Sequence, residues 1–228
     1  MAKAGLEPDS NTTRPLYLYL TQSDSLPDKA WQLLKSFTED GHAVPSAAVN
    51  VVIEAKIQRG QFPEAVDFYK ELHTICDSGP NTETFNILLQ GTTRHSTKSM
   101  GMFFASEMRS LGVRPDRLTY DRLILVCLLD NDYEDAFRYL EEMKTVGAEK
   151  EEDGQVGWWM RPGTVSMLTQ RCAKAGDSRA WGLLDEFDRR NMVDKWRLRK
   201  LVEETWKRKG KEERREPESQ TIAQWGTM

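Results

Sequence analysis

Apolar side chains recur along the chain at spacings of three and four residues, the mark of one buried helix face. Ala30, Trp31, Leu34 and Phe37 form one such stripe, and Ala65, Phe68, Tyr69 and Leu72 a second. A third is Ala136, Phe137, Leu140 and Met143, and a fourth Ala180, Trp181, Leu184 and Phe187. The alanine at the same place in each predicts close approach of a neighbouring helix. Alternating with these stripes, further helices are expected over Ala48 to Arg59, Thr82 to Arg94, Arg117 to Leu129 and Gly163 to Lys174. Ser46, Asn81 and Asp116 stand where amino-terminal caps belong. Gly41, Gly60, Gly112, Gly147 and Gly176 stand where helices must stop. Helices joined by short turns predict antiparallel hairpins. Asn11 to Pro27 fits less well: Pro15 and the run Leu16 to Leu20 predict a shortened or distorted first helix.

The hairpins repeat. Pro45, Pro80 and Pro115 are separated by 35 residues twice (80−45 and 115−80), and the segments after the last two are similar as well. Thr84-Phe85-Asn86 lies over Thr119-Tyr120-Asp121, and Glu107-Met108-Arg109-Ser110-Leu111-Gly112 over Glu142-Met143-Lys144-Thr145-Val146-Gly147. A fixed period of this length identifies an array in which each unit buries its apolar face against the next. The expected organisation is the end of a repeat over 1–9, a degenerate repeat over 10–45, repeats over 46–80 and 81–115, a repeat with an acidic insertion over 116–160, and a degenerate repeat over 161–194. A basic capping helix over 195–215 and a flexible polar tail over 216–228 complete it. The insertion is inferred from Ala136 and Ala180, which stand 44 residues apart (180−136) instead of 35, so that about nine extra residues enter around Glu149 to Met160. Trp158 and Trp159 at its end are read either as an interaction patch or as aromatics folded back on the neighbouring unit. Because Met1 to Asp9 resembles the close of a repeat, the chain is expected to be a C-terminal fragment of a longer array.

These motifs resemble the pentatricopeptide repeat, whose unit opens on Thr-Tyr-Asn, carries an Ala in its second helix and closes on Met-x-x-x-Gly-x-x-Pro-Asp. The resemblance covers most of residues 1 to 195 and is best from Thr84-Phe85-Asn86 to Asp116. It implies an all-α, right-handed α-solenoid of helix-turn-helix repeats with a C-terminal capping helix.

Charge and cysteine content narrow the chemistry. The formal charge is −4, yet Lys195 to Arg215 holds ten Lys or Arg against four Glu, a local +6, so the remainder carries −10. Acidic repeats argue against tight, nonspecific RNA affinity. Cys76, Cys127 and Cys172 lack metal-ligand spacing and read as structural thiols. His42, His73 and His95 occupy unrelated repeat positions, and no phosphate loop or nucleophile elbow is present. The chain is therefore expected to be non-enzymatic, without cofactor, metal or small-molecule substrate. No apolar run is long enough to span a bilayer.

The family resemblance implies a partner, single-stranded RNA read one base per repeat by the Asn of the opening motif and the closing residue of the repeat. Carried over by position, the readers are Val51, Asn86 and Asp121, with Val165 further on, and the closing residues are Asn81 and Asp116. Only Asn86 with Asp116 matches the family pattern, which implies a uridine reader; the other reading of Asn86 is a helix-surface or turn-bonding side chain. The base-sandwiching position falls on Ala48, Glu83 and Leu118, of which Leu118 is the apolar wedge. Lys207, Arg208, Lys209 and Lys211 are candidate phosphate contacts, with Trp196 or Trp206 stacking a base; a solvated basic face with packed tryptophans is the other reading. The function so implied is an RNA-binding module of a mitochondrial protein acting in transcript stability, processing or translation. The alternative is a protein-binding scaffold, for example a mitochondrial ribosome or assembly component, favoured by the acidic repeats and the incomplete reader positions.

Overall fold

The computed structural model describes residues 10–95, 97–148, 157–190 and 196–209. The repeat end at 1–9, residues 149–156 of the insertion, Lys211 and the tail at 216–228 lie outside the described residues. The chain forms two compact units, Met1–Asp130 and Asn131–Met228. All regular structure among the described residues is helical, the class that the repeat pattern predicts.

In the first unit the helices are α1 (Ser10–Leu20), α2 (Leu26–Glu39), α3 (Ser46–Gln58), α4 (Phe62–Glu71, with a 3-10 turn at Leu72–Thr74), α5 (Thr82–His95), α6 (Lys98–Ser110) and α7 (Arg117–Leu129). The odd-numbered helices pack side by side as one layer. Each even-numbered helix lies against the two first-layer helices that flank it in sequence, as hairpin stacking requires.

Aromatic contacts join successive second-layer helices and reach across to the first layer at Phe85. Trp31 stacks on Phe68 with ring centroids 4.2 Å apart, and its indole N–H donates to Glu71 at 3.0 Å. Tyr69 meets Phe85 and Phe104 edge-on at 5.8 and 5.6 Å. Lys56, only 2% exposed, places its ammonium 2.7 Å from Asp28 and 5.4 Å from the Phe68 ring centroid, so its charge is compensated within the packed layer.

Three expectations need correction. Phe37 does not join the buried stripe of α2 but is 48% exposed beside His42, because α2 packs on α1 and α3 by a different face. Gly147 does not stop a helix but lies inside the one that spans Tyr133–Ala148. On α6, Gly101 stands where the four stripes carry alanine, and a Cβ on it would lie 2.8 Å from Val126 Cγ1. Ser46 is the first helical residue of α3, not its cap, which is Pro45. Pro15 sits at the sixth position of α1 without ending it, at the loss of one intrahelical bond.

The second unit contains α8 (Tyr133–Ala148), α9 (Pro162–Ala175), α10 (Arg179–Arg189) and α11 (196–209). Helix α9 stops at Gly176, whose φ of 75° places it in the left-handed region, and Asp177 N–H returns to the Cys172 carbonyl at 2.9 Å. Helix α11 closes this unit by turning Leu198 and Val202 inward, setting Trp206 edge-on to Trp181 at 5.7 Å and pairing Arg199 with Asp188 at 2.7 Å. The Trp158-Trp159 pair folds back on its own unit: a Cβ on Gly147 would meet Trp158 Cβ at 2.6 Å, and Arg190 lies 4.8 Å over the Trp159 ring.

Candidate functional site

The amino-terminal turns of the first-layer helices carry a recurring hydrogen-bonded cluster. At α7, Asp116 caps the helix: its carboxylate accepts from the Thr119 backbone N–H at 2.7 Å, while its own N–H donates to Thr119 Oγ1 at 3.1 Å. This capping box satisfies two otherwise orphaned donors. Asn86, one helix earlier on α5, is drawn into it. Its amide nitrogen lies 3.2 Å from both Asp116 oxygens, and its Oδ1 accepts from the Thr119 hydroxyl at 3.0 Å. The structure therefore brings Asn86 and Asp116 together; Leu118, two residues after Asp116, is half-buried.

The same cluster exists one repeat earlier, on residues that the proline period does not select. Asn81 caps α5, accepting from Thr84 N–H at 2.9 Å and donating its own N–H to Thr84 Oγ1 at 3.0 Å. The residue bonded to this cap is Asn50: its amide donates to Asn81 Oδ1 at 3.2 Å, and its Oδ1 accepts from the Thr84 hydroxyl at 2.7 Å. Asn50 thus occupies the place assigned to Val51. The physical reason is helix phase. Helices α3 and α5 begin 36 residues apart (82−46) and α5 and α7 35 apart (117−82), so Pro45 corresponds to Asn81 and the reader position moves back by one. Val51 turns inward instead, 5% exposed. By the same count the wedge position is Ala47, not Ala48, followed by Glu83 and Leu118. Counting from the Asn81-x-x-Thr84 and Asp116-x-x-Thr119 boxes, and not from prolines, would have found Asn50.

Asp121 holds the corresponding place on α7 and is fully buried. In the second unit the fifth residue of α9 is Ser166, since the helix starts at Pro162; Val165, the expected equivalent, is fully buried.

A cavity of about 450 Å³ opens on the first-layer face, lined by Arg14 and Tyr17 of α1, Asn50 and Glu54 of α3, and Glu83 and Ile87 of α5, among others. Burial pushes the Glu54 carboxyl above its ordinary range, and the neighbouring Glu83 charge adds to this; Arg122 and Arg94 oppose it. Arg122 reaches across from α7 to the Asn86 carbonyl and to Gln90 Oε1, the latter at 3.0 Å. The face is thus mixed in charge, with cations interleaved among its carboxylates.

The basic helix α11 divides into a structural and a solvent-facing half. The Lys209 ammonium donates to the Ala175 carbonyl at the end of α9, so it serves as a helix-terminal ligand. Trp206 packs on Trp181. Trp196, Arg197, Lys200, Lys207 and Arg208 are exposed and fall three, four, seven and eight residues apart on one helix face. All three cysteines are buried, and burial pushes the Cys172 thiol up to about 12, which leaves it inert at neutral pH. No described helix is long and apolar enough to cross a membrane.

Comparison with known proteins agrees with this architecture. A family model described as pentatricopeptide repeat-containing protein matches residues 1–72, and the PPR repeat model matches residues 118–147. A pentatricopeptide repeat-containing protein of Arabidopsis thaliana is 27% identical over 133 residues, 55% of this chain and 23% of its own length. A second, named as chloroplastic, is 24% identical over 118 residues, 52% of this chain and 15% of its own length. The chain thus spans less than a quarter of the curated relatives it matches. Among solved structures, nuclear proteinaceous RNase P 2 of A. thaliana aligns with a TM-score of 0.57 at 15% identity, covering 84% of this chain and 41% of that one.

Proposed function

This chain belongs to the pentatricopeptide repeat proteins, and on that premise we propose that it binds single-stranded RNA along its first-helix face, without catalysing a reaction on it. One observation carries the reading: Asn86 is held by Asp116 and Thr119, which fixes its amide plane. One amide hydrogen serves both Asp116 oxygens by a shared bond. The second hydrogen and one lone pair of Oδ1 then form a donor beside an acceptor. That pair complements the imide edge of uracil, whose N3–H donates next to an accepting carbonyl. Leu118 supplies the apolar surface against which the base rests.

Within the second unit, α11 is a separate candidate for phosphate contacts. Arg197, Lys200, Lys207 and Arg208 line one exposed face over about 16 Å of helix, with Trp196 at its start. Lys209, engaged at the end of α9, is the weakest of the candidate phosphate ligands, and Lys211 extends the same run. The setting that the family resemblance supplies is organellar RNA metabolism, in transcript stability, processing or translation. The mitochondrial matrix is the address proposed from that resemblance, and the chloroplast is the address carried in the name of one relative.

A protein-binding scaffold is the second reading, and Glu54 and Glu83 on the first-helix face favour it, because phosphates are repelled there. The two are separated by measuring the uridine preference of the parent and of Asn86→Ala, at a temperature where both are folded. The RNA reading expects the preference to disappear in the variant. An unchanged preference removes Asn86 from the interface, and no binding by either protein favours the scaffold.

A further inference from the structure

We infer that Glu83 holds the Asn50 reader shut, so that this repeat is closed to a base until the Glu83 carboxylate is withdrawn. The inference rests on the RNA-binding reading and concerns the same face.

The two asparagine clusters share the cap-to-threonine box and the threonine hydroxyl bond, but differ in the cap, Asp116 against Asn81, and in what the asparagine amide nitrogen meets. At Asn86 both acceptor contacts of the amide nitrogen go to a single carboxylate, Asp116, which one N–H can serve. At Asn50 they go to two different side chains: Asn81 Oδ1 at 3.2 Å and Glu83 Oε2 at 3.3 Å. Two acceptors on separate residues consume both amide hydrogens. The Asn50 oxygen is taken by the Thr84 hydroxyl at 2.7 Å, and the side chain is 1% exposed, against 6% for Asn86. Asn50 therefore offers no hydrogen to a base, whereas Asn86 retains one.

The residue responsible stands at the second position of α5, where α7 carries Leu118. Leucine offers no acceptor, so it leaves the corresponding amide unoccupied. Glu83 is itself exposed, which makes its carboxylate free to swing away from Asn50 at the cost of one hydrogen bond. Asn81 remains to orient the opened amide, since its own side-chain nitrogen is anchored on Ser46 Oγ at 3.0 Å and its oxygen on the α5 amino terminus. Glu83 is thus a specificity-determining residue: it removes one repeat from the reading register and leaves Asn86 to read alone.

The test compares the parent, Glu83→Leu, Glu83→Ala and Glu83→Gln on four single-stranded RNAs, each holding a uridine flanked on both sides by one varied base. Melting curves establish that every variant is folded. Glu83→Leu and Glu83→Ala are expected to bind at least one of the four strands about tenfold more tightly than the parent does, and the others without gain. Glu83→Gln keeps an accepting oxygen for Asn50 and is expected to show the parent's base pattern. An equal gain on all four strands, shared by Glu83→Gln, shows only relief of charge repulsion and overturns the gate. No gain in Glu83→Leu or Glu83→Ala, while the parent still prefers uridine over the Asn86→Ala protein, overturns it and leaves the RNA reading intact. No binding to any strand by parent or variants overturns both.

Discussion

Replacing Asn86 by alanine is expected to destabilise the first unit even without RNA. The side chain contributes a charge-assisted bond from its amide to Asp116 and accepts one from the Thr119 hydroxyl. Bonds to charged groups are worth about 1.5–3 kcal/mol and neutral ones about 0.5–1.5 kcal/mol. Two features reduce the sum. The Thr119 hydroxyl keeps Asp116 Oδ1 at 2.9 Å as a second acceptor, and Asp116 is half-buried, so water reaches its carboxylate. Alanine also gains roughly 0.5 kcal/mol of helix propensity over asparagine. The net loss is about 2 kcal/mol, which lowers the melting temperature of a unit this size by about 8 °C. Asn50→Ala, in the equivalent cluster, should match or exceed it, because Asn50 donates to two acceptors. Asn86→Asp should cost more than Asn86→Ala at neutral pH, since it sets a second carboxylate against Asp116, and that excess should vanish as pH falls through the carboxylate range. Thermal melts followed by circular dichroism check all three. Melting within about 1 °C of the parent for both Asn86→Ala and Asn50→Ala would show that these clusters do not hold adjacent repeats together.

The remaining expectations concern packing, charge and the basic helix. Gly101→Ala should destabilise by about 1–3 kcal/mol in spite of its better helix propensity, because the new methyl meets the buried Val126 side chain at 2.8 Å; a more stable variant would refute the close approach. Asp28→Asn should cost about 1–3 kcal/mol by stranding the buried Lys56 ammonium, whereas Lys56→Met should be nearly neutral, and chemical denaturation of the two variants decides the order. The raised Glu54 carboxyl holds its proton more tightly in the folded than in the unfolded chain, so its share of stability falls as pH rises from about 4.5 through the raised value. Glu54→Gln should therefore be more stable than the parent at neutral pH and lose that advantage below about pH 4.5; an advantage that does not vary with pH contradicts the burial argument. Lys207→Ala with Arg208→Ala should reduce the salt dependence of RNA binding by about 1.4 in log–log slope, and an unchanged slope removes α11 from the interface.

Much of this fold is legible in the chain because local and long-range signals agree. Helix α7 is legible to the residue, since Asp116-x-x-Thr119 caps it and Leu129 ends its apolar run. The one-residue slip at Asn50 arises because Pro45 precedes α3 directly, whereas Pro80 stands one residue before the Asn81 cap; two prolines with different local roles mimic a period. Helix α6 leaves a fainter trace than its counterparts, because Gly101 replaces their alanine and the contact that demands glycine lies on α7, out of reach of periodicity. The split of the basic run is equally hidden: only the fold shows that Lys209 turns to the end of α9 while Lys207 and Arg208 face solvent. The Glu83 contact with Asn50 joins residues 33 positions apart, and no sequence pattern signals a carboxylate bonding across adjacent repeats.

The central claim is tested most directly by fluorescence anisotropy of the whole chain with a uridine-rich single strand and with a randomised pool, each at low and near-physiological salt. Base readout by Asn86 predicts that tighter binding to the uridine-rich strand survives the higher salt, because hydrogen bonds to a base edge release no counterions. Binding that is equal for both RNAs and lost with salt would reduce the interface to the basic face of α11, and contradict base reading by this protein.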